Sequence, residues 1–133
     1  MTACFADSFF YIALLNPGDV DHGRVVEFTR RLDRPLITTT WVLTEVGDAM
    51  APPRHRAAFL RLLDALAVDD SVKVIEASQS LFDRAVELYR QRPDKGWSLT
   101  DCISFVVMEE NGLRDALTAD HHFEQAGFVG LLK

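Results

Sequence analysis

Apolar positions along this chain follow two different spacings. Short apolar runs at Cys4–Ala6, Leu36–Thr38, Val72–Ile75, Ala116–Thr118 and Val129–Leu131 predict five strands. Longer segments between them carry helical spacing. Ala58, Phe59, Leu62, Leu63 and Leu66 make one apolar face, and Leu81, Phe82, Ala85, Val86 and Tyr89 make another. From Cys102 to Met108 the chain is apolar nearly all round, the pattern of a helix packed on both sides. Pro35, Pro52, Pro53 and Pro93 fall at the joints, where breakers belong. Strands alternating with helices predict an α/β fold with a mostly parallel sheet of about five strands, covered on both faces. The stripe from Phe9 to Leu15 reads as core, with enough aromatic surface to extend to a dimer contact.

Composition narrows the class. With 133 residues and 15.0 kDa, residues 1–133 fit one domain. Hydrophobic residues are 48% and charged residues 26%, which is enough apolar surface for a core without covalent staples. The two cysteines, Cys4 and Cys102, lie inside apolar runs and read as buried thiols in a reducing compartment. The N-terminal apolar stretch lacks signal-peptide flanks and is too short to cross a membrane, so a cytoplasmic location is expected. A net charge of −6 argues against a generic nucleic-acid binder. Basic residues nevertheless group at Arg30, Arg31 and Arg34, at Arg54 and Arg56, and between Arg84 and Lys95. These are either solvated helix faces or parts of a binding surface.

Four carboxylates carry the candidate chemistry. Asp7 and Asp120 each follow a predicted strand, Glu45 lies in the helix after the second strand, and Asp101 opens a helix after the loop R-P-D-K-G-W. Parallel α/β sheets bind ligands beyond the carboxyl ends of their strands, so all four can reach one crevice. Each also has a plainer reading. Asp7 and Asp120 can cap the helices that follow them, and Ser98 with Asp101 has capping-box spacing. Glu45, among apolar neighbours in W-V-L-T-E-V, can be neutralised by an arginine. Capping does not explain why all four should share a crevice. Gathered together they would repel, raising at least one pKa until a cation neutralised them. Oxygen donors of this kind select Mg2+ or Mn2+, which suits hydrolysis of a phosphodiester by activated water. Ser8 and Thr100 stand beside two of the candidate ligands, either as orienting hydroxyls or as ordinary helix caps.

Other chemistries lack their motifs. There is no G-x-x-x-x-G-K or G-x-G turn, no H-E-x-x-H and no C-x-x-C. His121 and His122 follow Asp120 directly and can touch phosphate or metal, but they also suit an exposed helix start. No histidine is needed as a base where a cation activates water.

The segments T-E-V with Glu45, W-S-L-T-D-C-I-S-F with Asp101, and L-T-A-D-H-H-F-E-Q-A-G-F with Asp120 follow an early Asp7-Ser8 in order. In this arrangement the chain resembles a PIN domain, specifically the VapC-type toxins of type II toxin–antitoxin pairs, over essentially its whole length. The resemblance implies a three-layer α/β/α sandwich and a Mg2+- or Mn2+-dependent endoribonuclease leaving 5′-phosphate products. It implies Asp7 and Asp101 as principal metal ligands, with Glu45 and Asp120 completing the acidic site. It further implies a homodimer held inactive by a small antitoxin protein. Asp94 and Glu124 are the candidates for an additional acidic position. The competing expectations are a metal-dependent phosphoesterase acting on another substrate such as DNA, a non-catalytic module binding RNA or protein, and a Rossmann-like domain with scattered acids.

Overall fold

Cys4, Phe5 and Ala6 are all fully buried, as a strand must be when it lies in the middle of a sheet with both faces covered. This is β1 (Cys4–Ala6), and the computed structural model, which describes residues 2–133, builds the rest around it. Helices α1 (Ser8–Leu15) and α2 (His22–Arg31) lead to β2 (Leu36–Thr39). Helices α3 (Thr40–Ala49) and α4 (Pro53–Val68) lead to β3 (Val72–Ile75), and α5 (Gln79–Gln91) with α6 (Leu99–Glu110) to β4 (Asp115–Leu117). A short α7 (His121–Gln125) precedes β5 (Val129–Gly130).

The strand order is β3-β2-β1-β4-β5, and every pairing is parallel. The chain therefore steps outward through β2 and β3, then returns to the other side of β1 for β4 and β5. Right-handed crossovers place the two runs of helices on opposite faces, giving the α/β/α sandwich. The reversal falls between β1 and β4, where Phe5 pairs with Ala116 and Ala6 with Leu117. At such a reversal the two loops leaving the strand ends diverge and open a crevice.

Five strands lie where the apolar runs predict them, with small shifts at the ends. The fourth covers Asp115–Leu117 rather than Ala116–Thr118, which frees Thr118 for the loop, and the fifth stops at Gly130. Helix α6 is buried on nearly every side, through Cys102, Ile103, Ser104, Phe105, Val107 and Met108. The α5 face divides: Leu81 and Ala85 are buried, whereas Phe82 and Tyr89 are exposed. Helix α4 buries none of its residues fully and lies half-sunk on the core through Phe59, Leu62, Leu63 and Leu66. It approaches α3 at Gly47, where an added Cβ would come within 3.0 Å of the Phe59 ring. Both cysteines are buried free thiols.

An aromatic stack joins the second half of the chain to β1. Phe123 lies 6.4 Å from Phe5 and 5.0 Å from Phe105, and Phe105 meets Trp97 edge-on at 5.0 Å. Trp97 Nε1 donates to Gln125 Oε1 at 3.0 Å. These contacts fix α6, α7 and the loop before α6 relative to the central strand.

Candidate active site

Asp7 is the first residue after β1 and occupies the N-cap of α1, yet its side chain makes no capping bond. The carboxylate instead turns towards β4, where Oδ2 accepts from Thr118 Oγ1 at 2.8 Å. It is 6% exposed, and burial pushes its pKa up to about 7. The Thr118 hydroxyl and the Ser8 N–H oppose that shift, whereas the negative charges of Asp101 and Glu45 add to it. Thr118 was not legible as a site residue in the sequence, where it reads only as strand. Its hydroxyl also accepts the Asp120 N–H at 3.1 Å, so one buried side chain ties the ends of β1 and β4 together.

The other three acids come from three more elements. Glu45 is half-buried one turn into α3, and its pKa is raised, first by burial and then by Asp101, Asp48 and Asp120. The Ser8 hydroxyl hydrogen-bonds Glu45 and pulls the other way. Asp101 is the third residue of α6 and completes a capping box. Its Oδ2 accepts the Ser98 N–H at 3.0 Å while its own N–H donates to Ser98 Oγ at 3.0 Å. Asp120 caps α7, with Oδ1 accepting the His122 N–H at 2.9 Å. Capping and clustering thus coexist in Asp101 and Asp120, since a carboxylate has acceptor capacity for both.

His122 spans two of the acids, with Nδ1 3.0 Å from Asp101 Oδ2 and 3.4 Å from Asp120 Oδ1. Among the described residues no arginine or lysine forms an ion pair with Asp7, Glu45, Asp101 or Asp120. The arginine partner considered for Glu45 is therefore not found. Thr100, half-buried in the first turn of α6, makes no side-chain hydrogen bond among the described residues. Asp94 lies outside the cluster in a two-point pair with Arg92, both bonds 3.1 Å, and Glu124 pairs with Lys133. Neither is drawn into the acidic crevice. Asp48, one turn beyond Glu45, is close enough to raise its pKa and went unnoticed in the sequence because it reads as an exposed helix residue.

This donor set fits a hard divalent cation. Among the described residues its four carboxylates carry no arginine or lysine partner, and one is buried enough to hold a proton near neutrality, which a cation would displace. Asp120, His121 and His122 also offer ligand atoms within 4.8 Å of one another.

The PIN domain profile matches residues 4–129, and the chain belongs to the PIN domain family. Within that family it is similar to the 23S rRNA-specific endonuclease VapC20 of Mycobacterium tuberculosis, in both strain CDC 1551 and strain H37Rv. Identity is 30% over 126 residues, covering 94% of this chain and 95% of the relative. The crystal structure of M. tuberculosis VapC20, described as a sarcin-ricin loop cleaving toxin, superposes with a TM-score of 0.86 at 26% sequence identity. That match covers 96% of this chain and 98% of the other.

Proposed function

We propose that this protein is a metal-dependent endoribonuclease of the VapC type, hydrolysing exposed RNA phosphodiesters as the toxin of a toxin–antitoxin pair. One observation carries the reading: Asp7, Glu45, Asp101 and Asp120, from four elements, lie close together without a cationic partner. Asp101 and Glu45 add to the burial that raises the Asp7 pKa, Asp101 and Asp120 do the same for Glu45, and among the described residues no arginine or lysine pairs with any of the four. The relatives are named for cleaving 23S rRNA, which supports RNA over DNA as the substrate class.

Mg2+ or Mn2+ held by the four acids would supply acidification of water and neutralisation of charge on the phosphate. The chain's own residues prepare that site. Thr118 fixes the Asp7 carboxylate and, through the Asp120 N–H, the start of α7. Ser8 orients Glu45, and the capping box holds Asp101 at the mouth of α6. His122 bridges Asp101 and Asp120 and keeps their oxygens facing one another. The positive end of α6 adds favourable potential for an incoming phosphate.

A small antitoxin protein and a second copy of the chain are the proposed protein partners, and the cytoplasm the proposed location. No helix among the described residues is long and apolar enough to cross a membrane. Asp7→Asn and Asp101→Asn are expected to lower RNA cleavage roughly a hundredfold or more, the upper end of what even outer-shell partners of a metal cost. The assay compares purified variants with wild type in manganese and in EDTA. Undiminished cleavage by the double variant, or cleavage indifferent to EDTA, rejects the reading.

A further inference from the structure

A second concave surface adjoins the acids on the far side of the loop that precedes α6. It is a groove of about 470 Å3, and its lining includes Tyr89, Arg90, Arg92, Lys95, Trp97 and Cys102. Three cations and no carboxylate line it, in a chain whose net charge is −6. Position relates it to the site. Cys102 directly follows Asp101, and a Cβ on Gly96 would lie 3.9 Å from His122 Nε2, so the Lys95–Trp97 stretch forms a wall shared with the acids.

Chemistry distinguishes the members of the groove. Arg92 lies over the Trp97 ring, 5.2 Å from its centroid, and is held there by Asp94. It is a fixed part of the wall. Arg90 and Lys95 make only long pairs, 3.5 Å to Glu87 and 3.9 Å to Asp94. Pairs that exposed are worth little in water and yield to a phosphate. Tyr89 is 53% exposed although it continues the apolar face of α5, leaving an uncovered ring among cations. Separated cations with an open aromatic face are what a single strand of nucleic acid requires, phosphates on one and a base on the other. The groove beside α4 has a single cation, Arg56, offset by Asp48, and its one aromatic ring, Phe59, is half-buried against Gly47, so it lacks separated cations around an open ring.

We infer that this groove seats the single-stranded RNA flanking the scissile phosphate, with Arg90 and Lys95 on backbone phosphates and Tyr89 stacked on a base. The inference rests on the endoribonuclease reading and names the path of its substrate. It is tested in the Asp101→Asn protein with magnesium, using a short fluorescein-labelled single-stranded RNA and fluorescence anisotropy. Adding Arg90→Ala with Lys95→Ala is expected to weaken binding about tenfold and to reduce the salt slope by about 1.4, or 0.7 for each phosphate contact. Adding Tyr89→Ala is expected to weaken it about fivefold or more with little change of slope. Arg54→Ala with Arg61→Ala on α4 is expected to leave both unchanged. The inference is overturned if the parent protein fails to bind this RNA, if either groove variant binds like the parent, or if the α4 variant carries the loss. It is equally overturned if a poly-glutamate peptide occupies the groove while RNA affinity ignores these residues. Cleavage by the wild-type protein in manganese is scored separately, so a dead enzyme that still binds RNA here counts against the endoribonuclease reading alone.

Discussion

Thr118 holds more of the site together than its size suggests. It donates to Asp7 Oδ2, accepts from the Asp120 N–H, and is fully buried, so its own hydroxyl has no water to fall back on. Thr118→Val keeps the shape and removes both bonds. The expected loss is about 1–3 kcal/mol of stability, the usual cost of stranding buried polar groups, with weaker manganese binding alongside. Urea denaturation and calorimetric titration of manganese would measure the two, and wild-type values in both would remove Thr118 from the site's architecture. The positions of the four acids were legible in the sequence because a carboxylate at the edge of an apolar run is costly and calls for a reason. Thr118 was not, since threonine is an ordinary strand residue and nothing in L-T-A-D distinguishes a hydroxyl that bonds Asp7 from one that does not.

Among the elements, α6 bears most directly on the acids because its first turn carries one of them, Asp101, within its capping box. Ser98 and Asp101 satisfy one another's N–H groups, which fixes the direction in which the helix leaves the loop. Ser98→Ala should cost about 1 kcal/mol and lower the thermal midpoint, with Ser98→Thr restoring most of it. A midpoint unchanged by Ser98→Ala would mean that the aromatic stack behind Trp97, and not the cap, sets that turn. The box itself was visible as a spacing in S-L-T-D. The sequence left open whether Asp101 serves as cap or as site residue, and the structure has it capping while lying close to the other acids. Helix and strand placement followed from periodicity, whereas the half-exposed α5 face did not. Apolar spacing reports which residues can be covered, not whether a neighbouring element arrives to cover them.

For the molecule as a whole, the acidic cluster ties stability to pH and, on the proposed function, to cations. In the unfolded chain Asp7 ionises near 3.8, and in the fold it keeps its proton to about 7. Between those values the native state binds the additional proton, so this contribution to stability declines as pH rises through the window. Glu45, also raised, acts in the same direction. Cation-free protein should therefore melt lower at about pH 8 than at about pH 5, and Asp7→Asn should flatten most of that decline. If manganese binds the ionised cluster as proposed, it should raise the midpoint more at the higher pH. Equal cation shifts at both would contradict a site made of these carboxylates. The order of the chain adds one consequence. The bond between Thr118 and Asp7 spans 111 residues, and β1 gains its second neighbour only when β4 has been made. A nascent polypeptide ending before that strand possesses Asp7, Glu45 and Asp101 but neither the hydroxyl nor the fourth acid that completes the constellation. Whatever hydrolytic power resides here is thus withheld by topology from copies that lack β4 and the loop after it, and arises only once that stretch has joined β1.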